Sequence, residues 1–211
     1  MVTGGNRGIG RAIALGFAEQ GVSLALTARS IDSLTETTRE IEKVGANCLP
    51  IVCDVRDEES VRRMGDAVLQ HFGRVDTVVA NAGVAGPTRA MHEITMAEWR
   101  DCLATDLDGV FLTFRRFIPH MIERQAGVLI ALSSMTGKRP LYGRTPYTAA
   151  KMALIGLVRT LAVELGPFGI RVNTVCPGAV TGPRMDDVID RQAKSQGIIG
   201  LHPEQEGCDK P

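Results

Sequence analysis

Two side chains four residues apart, Tyr147 and Lys151, sit in the stretch of this sequence richest in usable chemistry. From Ser133 to Lys151 it reads S-S-M-T-G-K-R-P-L-Y-G-R-T-P-Y-T-A-A-K, and an apolar-periodic run begins near Tyr147. Residues four apart share a helix face, so the phenol and the ammonium meet. A phenol alone releases its proton too reluctantly for efficient transfer near neutrality. An adjacent ammonium stabilises the phenolate and eases the exchange. Ser134 lies thirteen residues before Tyr147, just past the apolar run G-V-L-I-A-L at 127–132. That run predicts a buried strand, and open parallel sheets place their ligands at strand ends. A hydroxyl there can hydrogen-bond a substrate oxygen and stabilise charge developing on it. Y-x-x-x-K also arises by chance on many helices, and a serine pair after a strand is ordinarily a turn or a cap. The rest of the chain has to decide between these readings.

The elements that must position these groups alternate between strand and helix. T-G-G-N-R-G-I-G at 3–10 runs into an apolar-faced helix over 11–20, closed by Gly21. Glycines 4, 8 and 10 permit a tight turn and let backbone N–H groups approach a pyrophosphate. Strands are expected over 22–28, 47–53, 75–80, 127–132 and 169–176. Helices are expected from a Ser30 cap to Val44, over 58–72, over 95–123 and from Tyr147 onward. Pro119 is expected to break or kink the long one near its end. Strands alternating with helices imply right-handed crossovers, hence an α/β fold with a doubly wound parallel sheet in a single domain over 1–190. Residues 191–211 read as an irregular tail, with periodicity gone from Gly197 onward.

Composition narrows the function classes. The 211 residues are 44% apolar and 23% charged, with 24 Lys+Arg balancing 24 Asp+Glu. Nothing global points to nucleic acid or to an anionic membrane as partner. No apolar run reaches the ~20 residues needed to span a bilayer, and the N-terminus lacks a signal-peptide layout. Five scattered cysteines (Cys48, Cys53, Cys102, Cys176, Cys208) include no C-x-x-C pair and read as reduced thiols of a cytoplasmic protein. The four histidines show no metal-ligand spacing, so no metal site is expected.

Taken together, the motifs resemble those of the short-chain dehydrogenase/reductase family. Four of them carry the resemblance from Val2 to about Asp190, in the family's order. They are T-G-G-N-R-G-I-G, N-A-G at 81–83, Ser134 with Y-T-A-A-K at 147–151, and N-T-V-C-P-G at 173–178. The resemblance implies a Rossmann-like fold and transfer of a hydride between a nicotinamide cofactor and a carbonyl or secondary alcohol. It implies Tyr147 as acid/base, Ser134 orienting the substrate oxygen, and Lys151 serving both the tyrosine and the nicotinamide ribose. It further implies a cofactor site formed by Gly4, Asn6, Arg7, Gly8, Ile9 and Gly10, by Asp54 and Val55 near the adenine, by Asn81, Ala82 and Gly83, and by Pro177, Gly178 and Val180 beside the nicotinamide.

This chain departs from the family pattern in three places. Asp106, in T-D-L-D-G-V-F, stands where the family usually completes its tetrad with asparagine. Gly182 stands where a threonine often follows P-G, with Thr181 one residue early. Only Met1 and Val2 precede Thr3, and nothing after 190 resembles the family's last strand. The first strand is therefore expected to be short, the last family strand missing, and the chain truncated at both ends. That motivates an alternative: a non-catalytic remnant that binds cofactor weakly or not at all. A cofactor-sensing regulator is a third reading, in which Ser134 and Tyr147 would be dispensable.

Cofactor choice turns on the end of the second strand. NAD sites place an acidic residue there for the ribose, but Ala28 holds that place and Arg29 follows. Arg29 and Arg7 suit a phosphate by charge and geometry, so NADP(H) is expected over NAD(H), which is still admitted. The expected partners are a small carbonyl or alcohol and further copies of the chain, paired through the 95–123 and 147–165 helices.

Overall fold

The computed structural model describes residues 1–196. Six parallel strands form one sheet in the order β3-β2-β1-β4-β5-β6, comprising β1 (Val2–Thr3), β2 (Leu24–Ala28), β3 (Cys48–Val52), β4 (Thr77–Ala80), β5 (Gly127–Leu132) and β6 (Ile170–Val175). Strand order reverses between β1 and β4, the switch point where doubly wound sheets open a crevice at their carboxyl ends. As expected, β1 is short. Val2 and Thr3 pair with Leu26 and Thr27 on one side, and Val2 with Val79 on the other. The Met1 carbonyl adds a bond by accepting from Val79 N at 2.9 Å.

The helices are α1 (Gly8–Glu19), α2 (Thr35–Lys43), α3 (Glu58–Phe72), α4 (Met96–Leu103), α5 (Gly109–Arg124), α6 (Thr145–Leu165) and α7 (Pro183–Gln196). Local chemistry sets several ends. The Asp57 side chain caps α3 by accepting from Glu59 N, and Gly73 ends it in the left-handed region at φ 71°. Thr95 and Glu98 form a reciprocal capping box at the start of α4. Ser30 does not cap α2. Its carbonyl accepts from Ser33 Oγ, and a short 3₁₀ turn at Asp32–Leu34 leads into the helix.

The single helix expected over 95–123 is two helices joined by a π turn, Ala104–Asp108. Pro119 lies inside α5 without ending it, and Gln125, at φ 52°, terminates that helix. The irregularity thus falls around Asp106 rather than at the proline. α7 continues past residue 190, so the boundary expected there falls inside a helix, and residues 197–211 lie outside the described residues.

Two apolar clusters flank the sheet. One packs Val61, Met64, Phe114, Phe117, Leu154 and Val158 of α3, α5 and α6 against β4, β5 and β6. The other packs Ala14, Ala18, Leu34 and Ile41 against Val2, Leu24 and Leu26. Phe114 and Phe117 are fully buried, and truncating such a ring to alanine costs about 3–5 kcal/mol. These clusters fix the strand ends where the chemistry-bearing side chains emerge.

Candidate active site

Ser133 directly follows β5, and that serine fastens α6 to the sheet. Its Oγ donates to the Lys151 carbonyl at 2.6 Å, while its N–H donates to Val175 O at 2.8 Å. Gly137 is needed beside it, since a Cβ there would lie 2.8 Å from the Lys151 carbonyl oxygen. Ser134 follows in extended conformation, and its Oγ accepts from Thr136 N at 3.1 Å, capping the short turn Met135–Gly137. The next amide, Met135 N, donates to Pro177 O at 2.9 Å, which ties the serine loop to the segment after β6.

Lys151 is buried, and its ammonium is held from two sides. Nζ donates to Leu132 O at 2.9 Å and lies 3.9 Å from Asp106 Oδ2. One turn earlier on α6, the Tyr147 ring centroid is 5.6 Å from Nζ. A second cation lies closer to that ring: the Arg144 guanidinium, 4.7 Å from the centroid. Asp106 is wholly buried, with Oδ1 accepting from Val84 N at 2.7 Å. The π turn swings this carboxylate inward beneath Gly83, where a Cβ would meet Oδ1 at 2.7 Å. Burial, reinforced by Asp106, pushes the neighbouring Cys102 thiol up to about 12.

The glycine-rich turn sits against the carboxyl end of β4. Thr3 Oγ1 accepts from Asn81 N and Ala82 N, both at 3.0 Å. Asn81 Nδ2 in turn donates to the carbonyls of Thr3 and Gly4. Gly10 is where α1 crosses this corner, and a Cβ there would stand 2.2 Å from the Gly4 carbonyl oxygen. Gly4 itself has φ +64°. Bare backbone at a helix N-terminus is what a pyrophosphate requires, so the residues present fit a dinucleotide. Asn6 lies in this turn, its carbonyl accepting weakly from Thr37 Oγ1 at 3.5 Å. Gly8 and Ile9 begin α1, and Arg7 is exposed just before it.

Arg29 is exposed directly after β2, and its charge acts on Asp54 beyond β3. Hydrogen bonds from Arg56, then that charge, hold the Asp54 carboxyl below the usual carboxylate range. Val55 is buried, and a Cβ on Gly109 would press on its side chain. Gly178 and Val180 are exposed after β6.

The structure therefore brings Tyr147, Lys151 and Asp106 together, with Ser134 on the loop packed against the same helix. Gly4, Gly10, Asn81 and Gly83 form an adjacent cradle, while Arg7, Arg29, Gly178 and Val180 stand in more open surroundings. Sequence patterns alone do not single out Ser133, Thr3 and Arg144. For Arg144 the available signal is a cation three residues before the tyrosine, one turn back on the same face. Beside the site, a cavity of about 950 Å³ is bounded by residues 84–90, Tyr142 and Arg191. Among the described residues no group of His, Cys, Asp and Glu is arranged to hold a metal ion.

Comparison with known proteins gives a consistent picture. A 3-oxoacyl-(acyl-carrier-protein) reductase of Staphylococcus aureus is 36% identical over 202 residues, covering 95% of this chain and 81% of the relative. An uncharacterized NAD-dependent oxidoreductase of Mycobacterium tuberculosis is 36% identical over 219 residues, covering 96% and 79% respectively. Among solved structures, NAD+-bound xylitol dehydrogenase superposes with a TM-score of 0.90 at 30% identity, covering 92% of this chain and 75% of that one. An actinorhodin polyketide ketoreductase with NADPH gives 0.90 at 32% identity, covering 94% and 77%. The family model described as short chain dehydrogenase matches residues 1–193. The protein belongs to the short-chain dehydrogenase/reductase family and is an NAD(P)-dependent oxidoreductase of that family.

Proposed function

We propose that the chain interconverts a carbonyl and a secondary alcohol with NADP(H), and that Tyr147 exchanges the proton on the substrate oxygen. The observation that carries this reading is the Lys151 ammonium, fixed between Leu132 O and Asp106 one turn beneath the Tyr147 ring. A cation held there stabilises the phenolate that remains once the proton has left. Ser134, in a loop anchored to Pro177, orients the substrate oxygen toward the phenol. When bound, the nicotinamide supplies or accepts the hydride. The turn of Gly4, Asn6, Arg7, Gly8, Ile9 and Gly10 would hold its pyrophosphate, with Asn81, Ala82 and Gly83 beside it and Pro177, Gly178 and Val180 flanking the ring. Asp54 and Val55 would border the adenine, and Lys151 would also reach the ribose.

A preference for NADP(H) follows from Ala28 standing where an acidic residue would meet the ribose, with Arg29 next to it and Arg7 across the turn. Relatives with either cofactor are known, so this chain's own arginines make the argument. Losing charge-assisted bonds from both should cost about 10-fold or more in the preference. The test is the ratio of NADPH to NADH affinity in wild type and in an Arg7→Ala, Arg29→Ala double variant. A wild-type preference for NADH contradicts the proposal, as does an NADPH preference that the double variant keeps. Turnover is sought with NADPH against a panel of 3-oxoacyl thioesters and polyketide ketones, and with NADP+ against polyols, the classes carried in the relatives' names.

The non-catalytic remnant is the less favoured reading, because Lys151 and Asp106 lie together beneath the Tyr147 ring, beside the loop that carries Ser134. Self-association through α5 and α6 also belongs to this proposal. Phe111, Ile118, Leu157 and Leu161 line an outward groove between those helices, whereas Leu154 and Val158 face the sheet. The free thiols of Cys48, Cys53, Cys102 and Cys176 suit a reducing cytoplasm.

A further inference from the structure

Three buried charges surround one phenol. Lys151 and Asp106 form a pair at 3.9 Å with side chains 4% and 0% exposed. A carboxylate that close offsets much of the field the ammonium would otherwise exert on Tyr147. Where the family usually has a neutral asparagine, this chain carries an anion. Arg144 stands on the other side of the balance. It is 3% exposed at the N-cap of α6, its guanidinium lies over the Tyr147 ring, and Nη1 donates to Thr88 Oγ1 at 3.3 Å. A cation over an aromatic face attracts the neutral ring and attracts its phenolate more strongly.

We propose that Arg144 is a positioning residue for Tyr147, clamping the ring against residues 84–90 and restoring the positive charge that Asp106 removes from Lys151. Among the described residues, the other groups packed around the ring do not supply that charge. From α4 comes Cys102, a thiol kept neutral by burial. The 84–90 segment contributes Gly86 and Thr88, and its Arg89 is paired with Glu98. Arg191 of α7 reaches the Gly86 carbonyl but is paired with Asp187. Ser134 is uncharged.

The proposal rests on Tyr147 being the acid/base, so its test is chosen to be independent of turnover. The chain has two tyrosines. In a Tyr142→Phe background, the near-ultraviolet absorbance of tyrosinate during a pH titration of the cofactor-free protein therefore reports Tyr147 alone. Arg144→Met, which keeps the aliphatic stem, should move the midpoint up by about one unit or more. Arg144→Lys should restore it in large part. Asp106→Asn should move it down, and Arg144→Met combined with Asp106→Asn should return it close to the starting value. If thermal melting shows that Arg144→Met does not fold, Arg144→Gln, which retains a donor toward Thr88, supplies the neutral variant. A midpoint unmoved in the folded neutral variant, or one that Arg144→Lys fails to restore, reduces Arg144 to a packing residue and overturns the proposal. Turnover surviving in Tyr147→Phe would remove the acid/base reading without altering these titrations, so the two failures are distinguishable.

Discussion

Lys151 carries several duties at once, and its neighbours make them compatible. Its backbone carbonyl anchors α6 to Ser133, while its side chain reaches Leu132 O and Asp106. Lys151→Ala should therefore harm turnover and cofactor affinity together, a split that steady-state kinetics and a binding titration can read. Cys102 shows the reach of the same carboxylate. Burial, with Asp106 behind it, raises that thiol from 9.0 to about 12. A raised folded value favours the native state fully below pH 9.0, and that contribution is lost as pH rises toward about 12. Denaturant unfolding at stepped pH should show stability falling above about pH 9, with Cys102→Ala reducing the slope. Native Cys102 should also resist alkylation at neutral pH.

At the scale of elements, the glycine turn and the π turn position everything else. Gly10→Ala would force a Cβ to within 2.2 Å of the Gly4 carbonyl oxygen, and overpacking of this kind costs about 1–3 kcal/mol. A Cβ added to Gly16, in the exposed middle of α1, would meet no neighbour within 4 Å. Gly16→Ala should instead stabilise the fold by about 0.5–1 kcal/mol. Thermal melting of the two variants should move in opposite directions. The contrast also shows what the sequence could reveal. α3 and β5 were legible to the residue because caps and apolar runs mark their ends locally. The doubly wound parallel sheet followed from the alternation of strands and helices, whereas its strand order did not. The π turn was not legible, because an added residue in a helix leaves no composition signal and the proline nearby offered a false one. The Ser30 cap failed because a 3₁₀ turn at Asp32–Leu34 intervenes between that serine and α2. The approach of Lys151 to Tyr147 on one face of α6, and the place of Ser134 just past β5, were legible through spacing. Arg144 was not, because its role depends on burial against residues 84–90, far away in sequence.

For the whole molecule, Phe111, Ile118, Leu157 and Leu161 line the outer groove of α5 and α6, the surface proposed for self-association. Sedimentation should show a dimer or larger assembly, and a Leu157→Arg, Leu161→Arg variant should shift it to monomer. A wild-type monomer at micromolar concentration would contradict that surface assignment. No helix among the described residues is long and apolar enough to cross a membrane. The two core clusters, one on each side of the sheet, fix the geometry on which the chemistry depends, so the assembled fold is tested by its turnover.

The central claim is that Tyr147 moves the proton while the cofactor is held by other groups. Its direct measurement is turnover of Tyr147→Phe against wild type, with NADPH and a carbonyl substrate drawn from the panel, alongside NADPH affinity. The account predicts a fall of about 10²–10⁴-fold in turnover, the range of general acid/base catalysis, with affinity little changed. Turnover in Tyr147→Phe matching that of wild type would contradict it.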